Sequence, residues 1–343
     1  MEIGLFMNTH GYNQRDDVNF YLQYTPVEEM RPVEVAQRAE QLGYHSLWFS
    51  DHVTLTTEST SGHVANETRT RAYQPIHNML DGAVTMGAIA SVTSRIKMSP
   101  SVLISPYRGP LNDARQFATL DQLSKGRVIM GVGAGWMKEE FDVIGWKRHE
   151  DRGEVTDECI EIYKRSWTDK VVSFHGKHYN FDRITMDPKP YQKPRPPILF
   201  GSVVPAGARR SARLCDGFFP IMLDTYVDQF RFSNLQDIIR REAASIGKDL
   251  SQFWMIVCAS AMAVDVKHPW AQKQPRPNCT GSAEQILTDL EQYAKAGYGL
   301  VILHFHVASN TYNEYLDMIE RVGKEVIPQA KAIKPAGEWK RDL

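Results

Sequence analysis

Eight short apolar segments recur along the chain, and most are separated by stretches whose apolar residues follow helical spacing. Near-continuous apolar strands of this length are typical of parallel sheets that are covered on both faces. The predicted strands one to eight are residues 3–7, 47–49, 96–104, 128–132, 198–200, 217–221, 254–263 and 300–303. The predicted helices include residues 32–42, 83–92, 111–123, 152–167 and 283–296.

Strands that alternate with helices predict parallel βαβ units. With eight strands, an α/β fold of the (β/α)8 TIM barrel type is the first choice, and a doubly wound open sheet is the alternative. No Pro-, Gly- or Ser-rich linker divides the 343 residues, so residues 1–343 are predicted to form a single domain. The loops after strands one and two, residues 8–31 and 52–80, are long for such connections. Their polar parts, residues 13–17 and 56–71, form either a lid or surface insertions.

The charge balance argues against a nucleic-acid-binding protein. Forty Lys and Arg face 41 Asp and Glu, whereas such a protein normally carries a basic excess. No apolar run reaches the roughly 18 residues of a membrane helix, and the first residues do not resemble a signal peptide. Four cysteines without a C-x-x-C pair argue against a zinc site or a disulfide framework. We therefore expect a cytoplasmic protein.

Glycines and arginines follow predicted strands four and five. The segment GVGAGW, residues 131–136, allows a backbone to approach a ligand closely, but it lacks the third glycine of a dinucleotide fingerprint. After strand five, Gly201 and Ser202 precede a helix that carries Gly207, Arg209 and Arg210. A hydroxyl, free N–H groups and arginines at a helix N-terminus favour an anion, with phosphate first. A capped helix with solvated arginines is the alternative.

Two histidine positions are candidates for chemistry. His52 follows Asp51 where strand two ends, so at the mouth of a barrel it would act as a proton carrier or as a structural residue. His304 and His306 share one face of strand eight. Because no carboxylate or further histidine accompanies them, a packed pair is favoured over a metal site, and no metal is predicted.

Several segments resemble the bacterial luciferase-like family of flavin- or deazaflavin-dependent oxidoreductases. Coverage runs from residue 1 to about residue 225 and extends more faintly to about residue 330. The segments that carry the resemblance, in order, are LWFSDHV (47–53), SPYRGP (105–110), LDQLSKGR (120–127), GVGAGW (131–136), EF (140–141), Gly145, RG (152–153), DE (157–158), WTD (167–169), FHGKHY (174–179) and PKPYQKPRPPI (188–198).

The resemblance implies a TIM barrel with insertions after strands one, two and four, and a flavin-type ring across its mouth. It implies that His52 is the catalytic residue and faces the reactive side of the ring. It also implies that Ser101 and Val102 pass beneath the ring, where relatives often have a bulge or a cis peptide. The cofactor-binding residues predicted in all are Asp51, Ser101, Val102, Ala134, Gly135, Gly201, Ser202, Gly207, Ala208 and Arg209.

The resemblance implies two-electron chemistry on FMN that arrives reduced from a separate flavin reductase. With O2 it would oxygenate a small apolar organic substrate through a flavin C4a-peroxide, in a homodimer. The alternative is hydride transfer that depends on coenzyme F420, with Arg69, Arg71 and Arg108 available for its acidic tail. Further alternatives are a non-catalytic flavin-binding protein and, least favoured, a metal-dependent hydrolase.

Overall fold

The computed structural model describes residues 1–12, 24–62, 77–222, 233–259, 264–305, 308–340 and 343. Twelve short strands are formed within these residues. They are β1 (Glu2–Phe6), β2 (Ser46–Phe49), β3 (Lys97–Pro100), β4 (Leu103–Ile104), β5 (Met130–Gly133), β6 (Val172–His175), β7 (Asn180–Ile184), β8 (Ile198–Gly201), β9 (Gly217–Phe219), β10 (Ile221–Met222), β11 (Trp254–Ala259) and β12 (Leu300–Leu303).

Ten of these strands form one parallel ring. Their order is β3-β2-β1-β12-β11-β9-β8-β5-β4, and β10 pairs with β11. Because β3 and β4 are successive pieces of the third barrel strand, the two ends of this order belong to one strand. A parallel bridge between Met98 and Val128 also joins the third strand to the start of the fourth. The predicted (β/α)8 barrel is therefore confirmed, and the open-sheet alternative is wrong.

The barrel strands differ in detail from the predicted segments. The third strand is interrupted at Ser101 and Val102, which are joined by a cis peptide bond. Pro220 divides the sixth strand into β9 and β10, because proline has no N–H to donate to a neighbouring strand. The fourth strand begins at Met130, and the predicted end of the seventh, residues 260–263, lies outside the described residues.

The five helices whose ranges were predicted from the sequence are present, and their first and last residues agree with the predicted ones within one residue. Pro32 and Pro110 occupy first-turn positions of their helices, where the missing N–H of proline costs nothing. Asp81 caps the helix that begins at Gly82, because its side chain accepts the N–H of Val84 at 2.9 Å. The helices are α1 (Val27–Met30), α2 (Pro32–Leu42), α3 (Gly82–Val92), α4 (Pro110–Ser124), α5 (Lys138–Ile144), α6 (Arg152–Thr168), α7 (Pro205–Leu214), α8 (Ser233–Ser245), α9 (Ala283–Lys295), α10 (Tyr312–Arg321) and α11 (Ile327–Ala330).

Strand residues alternate between two buried layers, as the period of two requires. Leu5, Leu47 and Val301 pack with helix residues between the ring and the surrounding helices. Their neighbours Trp48 and Ile302 belong to a separate buried cluster inside the ring. Burial on both faces accounts for the continuous apolar strands of the sequence.

The connection after the fourth barrel strand is the longest that is described throughout. It contains α5, α6 and an antiparallel hairpin of β6 and β7 before the chain returns to the barrel at β8. The insertion predicted after strand four is thus present. The predicted lid residues 13–17 and 63–71 lie outside the described residues. Within the described part of the chain, no helix is both long enough and apolar enough to span a bilayer.

Candidate active site

The carboxyl ends of the barrel strands surround a cavity of ≈ 440 Å³. This end of a (β/α)8 barrel is where active sites are built, and the volume suits a cofactor-sized molecule. Ala208 and Arg209 do not line it. The predicted residues that do line it are Asp51, His52, Ser101, Val102, Ala134, Gly135, Gly201, Ser202 and Gly207.

Val102 lies between the ends of the fourth and fifth barrel strands, β5 and β8, where two glycines accommodate it. A methyl group on Gly133 would come within 2.4 Å of Val102 Cγ2, and one on Gly201 would come within 2.4 Å of Val102 Cγ1. Their missing side chains therefore make room for Val102 after the cis Ser101–Val102 peptide. The sequence predicted these glycines as places of close approach to a ligand, whereas the close approach in the structure is to a valine.

The fifth barrel strand, β8, leads into the N-terminus of α7, which opens onto the cavity. Ser202 Oγ accepts the N–H of Val204 at 3.3 Å. A methyl group on Gly207 would lie 2.0 Å from that same oxygen, so Gly207 is required for Ser202 to approach the helix. The first N–H groups of a helix have no intrahelical acceptor, and together with the Ser202 hydroxyl they can hold an anion.

Arg210 lies at the cavity wall, and Arg209 does not. Gly207 and Arg210 share the face of α7 that borders the cavity, because residues three and four apart lie on one side of a helix. Arg209 is exposed and Ala208 is fully buried in the core, since each successive residue turns about 100° around the axis. Arg152, in the first turn of α6, also lines the cavity, so among the described residues the arginines there are Arg152 and Arg210.

His52 is paired with a carboxylate that has no exposed surface. His52 Nδ1 lies 2.6 Å from Glu140 Oε2, and Glu140 Oε1 accepts the N–H groups of Val53 at 2.7 Å and Thr54 at 3.1 Å. Burial acts to raise the pKa of Glu140, but the hydrogen bond and charge of His52 and the Thr54 N–H outweigh it, so the pKa is lowered. Glu140 is therefore ionised, and it accepts the proton on Nδ1.

Asp51 lines the cavity but is bound to protein groups. Its two oxygens accept from the guanidinium of Arg108 at 2.6 and 2.7 Å, and Oδ2 also accepts the N–H of Ile104 at 3.2 Å. Burial acts to lower the pKa of Arg108, and the hydrogen bond to Asp51 more than offsets this, so the net direction is upward. Asp51 thus ties the loop after β2 to the residues that follow β4.

A second histidine, His304, lines the cavity at the end of the eighth strand. Its ring is tilted by 31° against that of Phe6, with centroids 3.8 Å apart, and its Nε2 lies 2.6 Å from Cys258 Sγ. Burial lowers its pKa far below the usual range, so it is a neutral imidazole. Among the described residues no three His, Cys, Asp or Glu side chains gather as a metal site, and His306 lies outside them.

Glu140 and Arg152 were not predicted as site residues, and Arg210 was named with Arg209 for the anion site but was not among the predicted cofactor-binding residues. Glu140 stands beside Glu139 in the first turn of α5, where acidic residues are common on any solvated helix. It is 88 residues from His52, and no local pattern connects the two. The helical phase of α7 was a usable signal, because Gly207 and Arg210 are three residues apart.

The match to known sequences decides the family. The sequence model of the luciferase-like monooxygenase family matches residues 1–298. The chain belongs to this family. This luciferase-like chain is therefore an enzyme of the oxidoreductase class.

Curated relatives match parts of this luciferase-like chain. It is 35% identical over 144 residues to the FMNH2-dependent dimethylsulfone monooxygenase of Pseudomonas putida, which is 41% of this chain and 39% of that protein. The match thus spans about two-fifths of that relative. An uncharacterized protein of Mycobacterium tuberculosis is 29% identical over 219 residues, 63% of this chain and 76% of that protein.

Solved structures with the same fold cover nearly the whole chain. The monooxygenase RslO1 of Streptomyces bottropensis has a TM-score of 0.73 at 17% identity, covering 96% of this chain and 99% of that one. An F420-dependent secondary alcohol dehydrogenase bound to an F420–acetone adduct has a TM-score of 0.71 at 22% identity, covering 96% and 98%. At these identities the likeness establishes the fold alone.

Proposed function

We propose that this luciferase-like enzyme is a monooxygenase that uses reduced FMN and O2 to oxygenate a small apolar organic substrate. The observation that carries the proposal is a single cavity bordered both by the N-terminus of α7 and by His52, which is paired with the buried Glu140. The 35% identity to an FMNH2-dependent monooxygenase supports FMN, over the matched part of the chain.

The residues present fit a phosphorylated flavin. Ser202, Gly207 and the first turn of α7 would hold the phosphate, with Arg152 and Arg210 supplying positive charge. Glu150 lines the same cavity, and Arg210 is bound to Asp157, so the positive charge there is partly compensated. A cofactor that ends at its phosphate suits this balance better than one that continues into a chain of carboxylates.

Bound FMN would supply the two-electron chemistry and the activation of O2. The chain's own residues would orient the substrate, keep water away and move a proton. Val102, Ile104 and Phe200 are apolar walls of the cavity that would exclude water. Since Nδ1 of His52 is bound to Glu140, Nε2 is the atom that would exchange a proton with a group in the cavity.

Hydride transfer with coenzyme F420 is the second candidate. The observation that favours it is the same His52–Glu140 pair, because an alcohol that loses a hydride must also lose a proton to a base. Arg108, which was considered for the acidic tail, is bound to Asp51. Arg69 and Arg71 lie outside the described residues.

Titration of the full chain with FMN and with F420, each oxidised and reduced, distinguishes the candidates. Under the proposal, reduced FMN binds best, and adding O2 to the complex gives a transient absorbing species that decays to oxidised FMN. Tight binding of F420 alone, with reduction by an alcohol, would establish the second candidate. If neither FMN nor F420 binds, both candidate functions are refuted.

The role of His52 is tested by His52→Ala. We expect turnover to fall by about 10²–10⁴, the usual contribution of a general acid–base group, while FMN affinity changes less than threefold because the phosphate end is intact. The measurements are kcat and the FMN dissociation constant. The control is His175→Ala, which removes an exposed histidine of the β6–β7 hairpin. Unchanged turnover in His52→Ala would remove His52 from the mechanism.

Three expectations about the wider system complete the proposal. Reduced FMN would come from a separate flavin reductase, the chain would act as a homodimer, and it would work in the cytoplasm. All four cysteines are buried and free, which is consistent with a reducing compartment. Coupled turnover with an added reductase and the mass of the native particle are the direct measurements.

A further inference from the structure

We propose that Glu140 is a positioning residue that sets the tautomer of His52 and stabilises its protonated form. The inference rests on the proposed role of His52 as the proton carrier. It assigns a function to a side chain that touches His52 and the loop backbone, and that is not among the residues lining the cavity.

The contact between the two side chains selects one tautomer. An ionised carboxylate only accepts hydrogen bonds, so the 2.6 Å contact between Glu140 Oε2 and His52 Nδ1 requires the proton on Nδ1. The neutral ring then carries its lone pair on Nε2. A hydroxyl group in the cavity can lose its proton there, as the O–H bond breaks and the Nε2–H bond forms. The positive charge on the ring is then balanced by Glu140, and the proton later returns to solvent or product.

The same carboxylate also fixes the backbone beside His52. Oε1 accepts the N–H groups of Val53 and Thr54, so both oxygens are held and the carboxylate cannot rotate. The His52 side chain is only 5% exposed and that of Glu140 is 0% exposed, so water does not compete for the contact. A buried hydrogen bond to an ionised carboxylate acts in a low dielectric, so removing one partner leaves the other uncompensated.

Tyr107 faces Glu140, and Asp51, the residue before His52, is bound to Arg108. Burial and the charge of Glu140 raise the pKa of Tyr107, which stays a neutral phenol. Asp51 and Arg108 bind each other, so their charges largely cancel. Within this cluster, His52 is therefore the group to which the proposal assigns the proton transfer.

Glu139 provides a matched control on the same turn of α5. Its Oε1 accepts from the N–H of Thr60 at 2.7 Å and from the N–H of Ser61 at 3.2 Å, so it also ties the loop after β2 to α5. The hydrogen bonds described for Glu139 go to Thr60 and Ser61. Glu139→Gln thus perturbs the tether of the loop and leaves the His52 pair intact, whereas Glu140→Gln removes the charge beside the ring.

The experiment is ¹⁵N NMR of the histidine side chains in the full chain without cofactor, with the His52 signal identified by its loss in His52→Ala. In the unsubstituted chain we expect the Nδ1–H tautomer. In Glu140→Gln we expect the His52 proton affinity to fall ten- to a thousandfold, as loss of a nearby opposite charge implies. Glu140→Asp should restore part of that affinity, and Glu139→Gln should leave it within twofold.

Turnover provides the second readout. Glu140→Gln should lower kcat/KM about 10²-fold. It should also move the acidic limb of the pH profile of kcat/KM to lower pH, because a less basic His52 stays deprotonated down to a lower pH. An Nε2–H tautomer of His52 in the unsubstituted chain would overturn the proposal. An unchanged proton affinity of His52 in Glu140→Gln would overturn it as well. Failure of the proposed oxygenation would show as absent turnover in every form, with the NMR result unaffected.

Discussion

Asp113 shows how burial of one residue couples folding to pH. This α4 carboxyl has no exposed surface, and one oxygen accepts from the Tyr163 hydroxyl at 2.8 Å. Burial raises its pKa to about 7, although the hydrogen bond from Tyr163 and the charge of Arg108 oppose the shift. Between its ordinary pKa of 3.8 and about 7, the folded chain holds a proton that the unfolded chain has released.

This carboxyl should therefore make the enzyme less stable as the pH rises from about 4 to 7. The slope from one such group is about 1.4 kcal/mol per pH unit within that window. Asp113→Asn cannot titrate, so its free energy of unfolding, relative to the unsubstituted enzyme, should increase across the window and level off above it. Urea unfolding at pH 5, 6, 7 and 8 measures this. Parallel curves for the two proteins would show that Asp113 is ionised throughout.

At the scale of elements, α7 decides which arginine lies at the cavity wall, since Arg210 lines the cavity and Arg209 does not. Ser202→Ala combined with Arg210→Ala should weaken FMN binding about 10–100-fold, the range for lost charge-assisted hydrogen bonds, and should change riboflavin binding little. Ser202→Ala combined with Arg209→Ala is the matched control, because Arg209 is exposed and does not line the cavity. Fluorescence titration gives both affinities. An equal loss for FMN and riboflavin would place the phosphate elsewhere.

Arg127 joins the C-terminal ends of two helices at the opposite end of the barrel. Its guanidinium donates to the carbonyl oxygens of Ala90, at the end of α3, and Ser124, at the end of α4, both at 2.8 Å. The side chain is nearly buried, so these carbonyls have little access to water. This arginine belongs to the LDQLSKGR segment that carried part of the family resemblance, and its role here is structural.

Replacement of Arg127 should therefore reduce stability without affecting the site. We expect Arg127→Met to lower the free energy of unfolding by about 3 kcal/mol, since helix-end carbonyls lose a charged donor. The dissociation constant for FMN should stay within about twofold when measured well below the unfolding temperature. Chemical denaturation measures the loss of stability, and Arg115→Met, on the exposed side of α4, serves as the control. A loss below about 1 kcal/mol would show that water replaces the guanidinium.

At the scale of the whole molecule, a ligand at the mouth should stabilise the entire barrel. The cavity is lined from most of the barrel strands, so unfolding of the ring destroys the site. FMN at 100 times its dissociation constant should add about 2.7 kcal/mol to the free energy of unfolding. Scanning calorimetry should show this as a rise in Tm, and riboflavin at the same concentration should give a smaller rise. No rise in Tm with FMN at a saturating concentration would mean that FMN binds the folded chain no better than the unfolded chain.

The ring itself could be predicted from the sequence because its causes are local. Strands covered on both faces must be apolar throughout, and helices must place apolar residues three and four apart, so both patterns are visible without tertiary contacts. The same holds for the Ser202–Gly207 turn, whose residues are close neighbours in the chain. Family resemblance added the insertion after the fourth strand and the break at Ser101 and Val102, which apolar patterns did not indicate.

Tertiary structure alone decided how the site residues are paired. Glu140 meets His52, Arg108 meets Asp51, and Val102 occupies the space beside Gly133 and Gly201, because strands distant in sequence end at the same rim. A buried charge must find an opposite partner, but the chain order does not specify which one. The sequence by itself therefore determined the barrel, its family and the end of the barrel where the cavity lies, whereas closure of the ring decided which side chains meet there, above all Glu140 beside His52.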